Sequence, residues 1–214
     1  MLYSWYQIPY RMHIDKIKNK GQGRLFQSEY LEMMTKTHPI VIYSLYLPVI
    51  LFLLYFGHTY KYLSIASMCL FFAMGILVWS LMEYVLHRFV FHYISENPRL
   101  NKVIYKLHGI HHEYPRDRER LFMPPVPSII VASLFFSIQY LIMGWNALAF
   151  FPGFLSGYLL YGSMHYAIHA FTPPAFLKAL WRNHHLHHYK YPEKGFGVSS
   201  VLWDHVFGTV PPKK

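Results

Sequence analysis

Four apolar runs, each free of Asp, Glu, Lys and Arg, dominate the middle of this 214-residue chain. They are Ile40 to Gly57, Tyr62 to Met82, Val126 to Gly144, and Ala147 to about Met164. Each approaches the ~20 residues that a helix needs to cross a bilayer. Backbone polar groups in hydrocarbon must be satisfied within the segment, which favours helices. The links His58-Thr59-Tyr60-Lys61 and Gly144-Trp145-Asn146 are only long enough for tight turns. The expected fold is therefore an all-α integral membrane protein with four transmembrane helices in two hairpins. An even number of crossings returns both termini to one side. Of the 20 Lys and Arg, only Lys61 falls at a short turn. The others lie before the first run, between Glu83 and Pro125, or after His165. By the positive-inside rule, that face is cytoplasmic. A soluble all-helical protein with buried helices of the same length is the alternative.

Composition narrows the class further. Charged residues make up 14% and apolar ones 54%, against ~25% charged in an ordinary soluble domain. The net charge of +10 would suit nucleic acid or an anionic membrane surface. The apolar content favours the membrane, and no nucleic-acid partner is expected. The single cysteine, Cys69, allows neither an internal disulfide nor a thiolate zinc site. The first 39 residues hold no compact apolar run with a small-residue cleavage site, so no signal peptide is expected. They divide the chain into a cytoplasmic N-terminal segment, 1–39, and a membrane domain, 40–214. Residues 10–20 carry only a weak apolar face for one interfacial helix.

Fifteen histidines stand against ten acidic residues, and they are clustered. His87 and His92 follow the second run. His108, His111 and His112 come next. His165 and His169 follow the fourth run, and His184, His187 and His188 close the set. All belong to the predicted cytoplasmic side, as a helical His-rich cap on the membrane helices. Residues at i, i+3 and i+4 share one helix face, which fits the second and fourth clusters. The third is an i, i+4 pair. His87 and His92 would diverge by about 140° on a regular helix, so either the helix ends between them or they serve different metals. Imidazole suits iron, zinc, copper and nickel. Ten ligand-spaced histidines are too many for one ion and about right for two. His13, His38, His58, His185 and His205 are expected to be ordinary residues.

Three stretches resemble a known family. His87 to His92 (HRFVFH) resembles the first histidine box of the membrane fatty acid 2-hydroxylases. Asp117 to Pro125 (DRERLFMPP) resembles the segment after their second box. Gly195 to Thr209 (GFGVSSVLWDHVFGT) resembles their C-terminal signature. The chain is thus identified as a member of the fatty acid hydroxylase and sterol desaturase superfamily, over about residues 78–208. The resemblance implies a di-iron centre held by the ten histidines, with zinc able to substitute in purified protein. It implies O2-dependent hydroxylation of a fatty acyl chain at carbon 2, in a free fatty acid or a sphingolipid-type lipid. Two features depart from the family's pattern. Ala170 follows His169 where many relatives have a second histidine, and Tyr161-Gly162 stands where Tyr-Asp is common. Many relatives also carry a fused cytochrome b5-like domain. Residues 1–39 are too few for one, and no His-Pro-Gly-Gly is present, so a separate cytochrome b5-like or ferredoxin-type electron donor is expected.

A saturated C–H bond is inert to side-chain acids and bases, so a redox metal must carry the hard step. Ligand imidazoles usually donate their second N–H to a carboxylate or carbonyl. Glu83, one helical turn before His87, is a candidate for that supporting role, with pairing to Arg88 as its ordinary alternative. Asp204 and Tyr161 are further candidates for support or substrate contact. The charged run from Arg116 to Arg120 reads as a solvated face, whose arginines could instead meet a lipid carboxylate or phosphate. The location that follows is the endoplasmic reticulum in a eukaryote, or the inner membrane in a bacterium. Alternatives are a sterol or carotenoid oxidase, a desaturase, or a membrane protein that binds or transports metal without catalysis.

Overall fold

The computed structural model describes residues 17–213, with no strand among them. His13 and residues 10–16 of the candidate interfacial helix lie outside the described residues, and residues 17–20 are not helical. A short helix, α1 (Glu29–Met33), precedes two long ones, α2 (Pro39–Lys61) and α3 (Ile65–Val85). Short helices α4 (Pro98–Ile104) and α5 (Ile110–Glu113) follow, then the long α6 (Pro125–Met143) and α7 (Ala147–Ala170). The last two are α8 (Lys178–Tyr189) and α9 (Leu202–Val206). Three stretches are long and apolar enough to cross a membrane: Pro39–Lys61, Ile65–Phe91 and Arg118–Ala170. The last of these contains both α6 and α7.

Local chemistry sets the helix ends. His38 caps α2, its Nδ1 accepting from the Ile40 N–H at 3.3 Å, and Pro39 opens the helix, where a missing N–H costs nothing. Residues 58–61, expected as a turn, are instead the last turn of α2. The left-handed Tyr62 (φ 54°) ends the helix with its N–H on the Gly57 carbonyl. Ser64 then caps α3, accepting from the Ser67 N–H at 3.2 Å, so the turn shifts to residues 62–64. The second turn lies where the sequence places it, at Gly144–Asn146, with Gly144 at φ 56°. Pro124 is the cap of α6 and Pro125 its first residue.

Helix α7 is central and packs against α2, α3 and α6. It buries Phe150, Phe151, Phe154, Leu155 and Leu159 against Ile42, Tyr46 and Ile50 of α2 and Trp79 of α3. Helices α3 and α7 approach to backbone contact. A Cβ at Gly153 would overlap the Phe72 carbonyl, and one at Gly75 would overlap the Phe150 carbonyl. Gly153→Ala is therefore expected to destabilise the protein by about 1–3 kcal/mol through overpacking. Thermal unfolding of the purified protein in detergent checks this, and an unchanged Tm would rule out so close a crossing. The outward faces stay apolar: Leu51, Phe52, Leu70, Leu77, Ile130 and Leu141 are all exposed. So large an apolar surface is a liability in water and a solvated face in lipid.

The described part of the N-terminal segment is fastened to the end of α5 and to the connection that leads to α6. The Lys18 N–H donates to the Glu113 carbonyl at 2.7 Å, and the Thr37 N–H donates to the Glu119 carbonyl at 2.8 Å. Arg120, which the charged run suggested to be solvated, is buried. Its guanidinium binds Glu32, Asp117 and the Gly23 carbonyl. The partners lie 88 and 97 residues away for Glu32 and Gly23, so the burial is tertiary in origin.

Candidate metal centre

The ten clustered histidines gather just beyond the end of α3, in the last turns of α7, and on and around α5 and α8. Helix α3 does not stop at Val85. It continues as a π-wound turn, Leu86–Phe91, and ends with His92 as its cap. A π turn bonds i to i+5, and such turns recur at functional sites. It brings His87 and His92, five residues apart, to ring centroids 5.1 Å from each other. The helix does end between them, but the two rings join one group rather than two. A second π-wound turn, Tyr105–Gly109, leads from α4 into α5 and carries His108.

The rings form two groups of five. His87, His92, His108, His112 and His187 make the first; His111, His165, His169, His184 and His188 make the second. Within each group the candidate ligand nitrogens lie within 4.8 Å of one another. In the first, His108 Nε2 is 3.1 Å from His87 Nε2 and 3.1 Å from His112 Nε2, and His187 Nε2 is 3.2 Å from His112 Nε2. In the second, His111 Nε2 is 2.8 Å from His165 Nε2 and 3.0 Å from His188 Nε2, and His184 Nε2 is 2.9 Å from His169 Nε2. The i, i+3, i+4 clusters therefore straddle both groups. His108 and His112 face one and His111 the other, while His187 faces one and His184 and His188 the other. The groups abut, with the rings of His112 and His188 stacked at 4.2 Å between centroids.

Protonation shows what such a cluster can hold. Burial, reinforced by neighbouring imidazoles, keeps His92, His108, His111, His112, His184 and His188 well below the ordinary imidazole range, and burial does the same for His187. Burial thus favours the uncharged form of each ring. His87 Nδ1 donates to the Phe196 carbonyl at 2.6 Å, and His187 Nδ1 donates to the Lys194 carbonyl at 2.8 Å. A neutral ring that donates through Nδ1 carries a lone pair on Nε2. The inward Nε2 atoms of His87 and His187 are thus acceptors, each free to bind a cation, and they face the Nε2 atoms of His108 and His112. The donor set is imidazole only, which suits iron, zinc, copper or nickel and not a hard cation. Two such groups of buried imidazoles are compatible with a metal centre.

The two acidic candidates do not touch imidazole. Glu83, 4% exposed, accepts from the N–H groups of Val198 and Ser199 at 2.7 and 2.8 Å and from the Ser199 hydroxyl. It is not paired to Arg88, whose guanidinium donates to the Tyr84 hydroxyl. Asp204, fully buried, accepts from the N–H groups of Phe196 and Gly197 at 3.0 and 2.9 Å and from the Thr209 hydroxyl at 2.7 Å. Burial pushes its carboxyl up, against the lowering effect of these hydrogen bonds. Both carboxylates thus hold the loop 196–199, which presents the Phe196 carbonyl to His87. The loop is tight: a Cβ at Gly197 would overlap the Ser200 carbonyl. Tyr161 stacks on His165 at 5.7 Å between centroids, and Gly162 leaves room for the Phe122 ring, which a Cβ would overlap.

Of the remaining histidines, His38 caps α2 and His58 Nδ1 lies 3.1 Å from the Leu63 carbonyl. His185 and His205 are exposed. Sequence reasoning missed the carbonyls of Phe196 and Lys194. The only signal near them was the glycine-flanked stretch at Gly195.

Comparisons with known proteins give the same direction. The fatty acid hydroxylase family model matches residues 72–209. The chain is 37% identical over 203 residues to the ceramide very long chain fatty acid hydroxylase of Saccharomyces cerevisiae, covering 93% of this chain and 52% of that protein. It therefore spans about half the length of the yeast relative. It is 38% identical over 191 residues to a dihydroceramide fatty acyl 2-hydroxylase of Arabidopsis thaliana, covering 88% of this chain and 80% of that one. The solved structure of full-length scs7p, in which only the hydroxylase domain is visible, superposes with a TM-score of 0.83 at 36% identity. The match covers 90% of this chain and 74% of that one.

Proposed function

The chain belongs to the fatty acid hydroxylase family, and on that premise we propose that it is a membrane monooxygenase that hydroxylates a fatty acyl chain at carbon 2. The substrate is a free fatty acid or a sphingolipid-type lipid, and the co-substrate is O2. The observation that carries this is the pair of five-imidazole groups, side by side and free of carboxylate. We assign His87, His92, His108, His112 and His187 to one iron ion, and His111, His165, His169, His184 and His188 to the other. Bound iron would supply the oxidising power that a saturated C–H bond demands.

The chain's own residues do the rest. The Phe196 and Lys194 carbonyls set the tautomers of His87 and His187, so that each offers Nε2. Glu83 and Asp204 hold the loop that carries the Phe196 carbonyl. Tyr161 keeps the His165 ring in place by stacking. Residues 40–214 constitute the hydroxylase unit, with the 1–39 segment ahead of it.

Helices α2, α3, α6 and α7 are proposed as four crossings in two hairpins, with the termini and the His-rich cap on the cytoplasmic side. Charge supports this orientation. The Lys61 ammonium lies 3.8 Å from the centroid of the Trp145 ring, a contact between the two short turns that supports the hairpin arrangement. Electrons come from a separate cytochrome b5-like or ferredoxin-type donor, docked on the basic cytoplasmic face. The membrane is the endoplasmic reticulum in a eukaryote or the inner membrane in a bacterium.

The test is mass spectrometry of lipids from a heterologous host. Expression is expected to produce 2-hydroxy acyl species, and His108→Ala is expected to abolish them. An unchanged lipid profile in cells that hold the iron-loaded wild-type protein would sink the proposal. Zinc fits the same imidazoles but has no redox chemistry. Zinc-loaded protein should therefore unfold at a Tm like that of the iron form and produce no hydroxylated lipid.

A further inference from the structure

An open cavity of about 690 Å³ lies between the end of α7, α8 and the turn that follows α5. Arg116, Arg118 and His185 line it, and so does His169 of the second histidine group. A second cavity of about 320 Å³ shares Phe171 as a wall and is lined mainly by apolar groups, among them Pro39, Tyr43, Phe122 and Tyr166. None of the ten clustered histidines lines it. Among the described residues, neither arginine has a carboxylate partner. Arg118 donates to the Ala170 carbonyl at 3.2 Å. Arg120, two residues on, differs in being buried and neutralised by Glu32 and Asp117. Two guanidinium groups that line a cavity and have no carboxylate partner among the described residues favour an anion with planar or tetrahedral oxygens. The volume exceeds what a bare anion needs and lies in the usual range for a small-molecule site.

We propose that this cavity binds the anionic head, carboxylate or phosphate, of the acyl lipid, and that Arg116 and Arg118 recognise it. The chain of that lipid passes Phe171 into the apolar cavity. The inference rests on the hydroxylase assignment and deepens it. In a fatty acid carbon 2 is bonded to the carboxylate carbon itself, so a carboxylate held in this cavity sets carbon 2 beside the His169 wall. An acid-ended lipid is then preferred over a neutral one.

The experiment uses the full chain in nanodiscs that contain phosphatidylglycerol, so that a bulk anionic surface is already present. Thermal unfolding is followed while dodecyl phosphate, dodecanoate, dodecanol or inorganic phosphate is added, since a ligand of the folded state raises the Tm. Dodecyl phosphate and dodecanoate are expected to raise it at lower concentration than dodecanol or inorganic phosphate. In the Arg116→Gln/Arg118→Gln double variant, affinity for dodecyl phosphate should fall on the order of tenfold or more per arginine, with dodecanol unaffected. Arg116→Gln alone serves if the double variant does not fold, and Lys190→Gln controls for general charge. Equal affinities in the wild type and the arginine variants would overturn the proposal. So would the same loss in Lys190→Gln, or inorganic phosphate binding as tightly as dodecyl phosphate. Normal lipid binding with slowed reduction by an acidic donor protein would also overturn it, marking the face as a docking surface. Arginine-dependent binding without any 2-hydroxy product would uphold the head site and count against the hydroxylase assignment instead.

Discussion

His187→Ala should lose about half of the bound metal and all lipid hydroxylation, while the fold survives. The ring is fully buried and held at both nitrogens, Nδ1 on the Lys194 carbonyl and Nε2 among the nitrogens of the first group. Removing it takes a ligand from one group and leaves the other five imidazoles in place. His184→Ala should do the converse, sparing the first group. Metal analysis of each purified variant, beside the wild type, reads this directly. If either variant loses all of its metal, the ten rings act as one shared site. A His187→Ala protein with full activity would contradict the ligand assignment outright.

Glu83→Ala is expected to have the second largest effect, although its carboxylate touches no imidazole. It would leave the Val198 and Ser199 N–H groups and the Ser199 hydroxyl without their acceptor. Each buried donor left unpaired costs about 1–3 kcal/mol. The loop then relaxes, and the Phe196 carbonyl no longer fixes His87. Loss of such a supporting contact typically weakens metal affinity by about 10–100-fold. Glu83→Gln keeps one acceptor oxygen and should lie between the two. Thermal unfolding and metal titration of both variants check the order. Wild-type metal affinity in Glu83→Ala would show that the loop does not act on the first group.

The four apolar runs and the ligand spacing were legible because both depend on local periodicity. The boundary at residues 58–61 was not, since it turns on one left-handed residue, Tyr62, and the cap at Ser64. The clusters identified the ten rings but not their division into two groups. That division depends on how α5 and α8 face each other and on the π-wound turn under His87. A ten-residue set drawn from four segments carries no mark of it. The role of Glu83 was misjudged in kind: its position beside His87 was visible, but its partners lie 115 and 116 residues away. The carbonyls of Phe196 and Lys194 are backbone groups, which side-chain identity does not reveal. Arg120 followed the same rule, since its burial is created by Glu32 and Gly23 from the N-terminal segment.

The central proposal is that the ten imidazoles would hold two iron ions and that the chain hydroxylates an acyl chain at carbon 2 with oxygen from O2. Its most direct test is incubation of iron-loaded protein, an electron donor and a fatty acyl lipid under isotopically heavy dioxygen in ordinary water. One heavy oxygen atom is predicted in the new 2-hydroxyl group, with none from water. A 2-hydroxyl carrying oxygen from water, or lipid that returns unchanged from a fully iron-loaded and reduced protein, would contradict it.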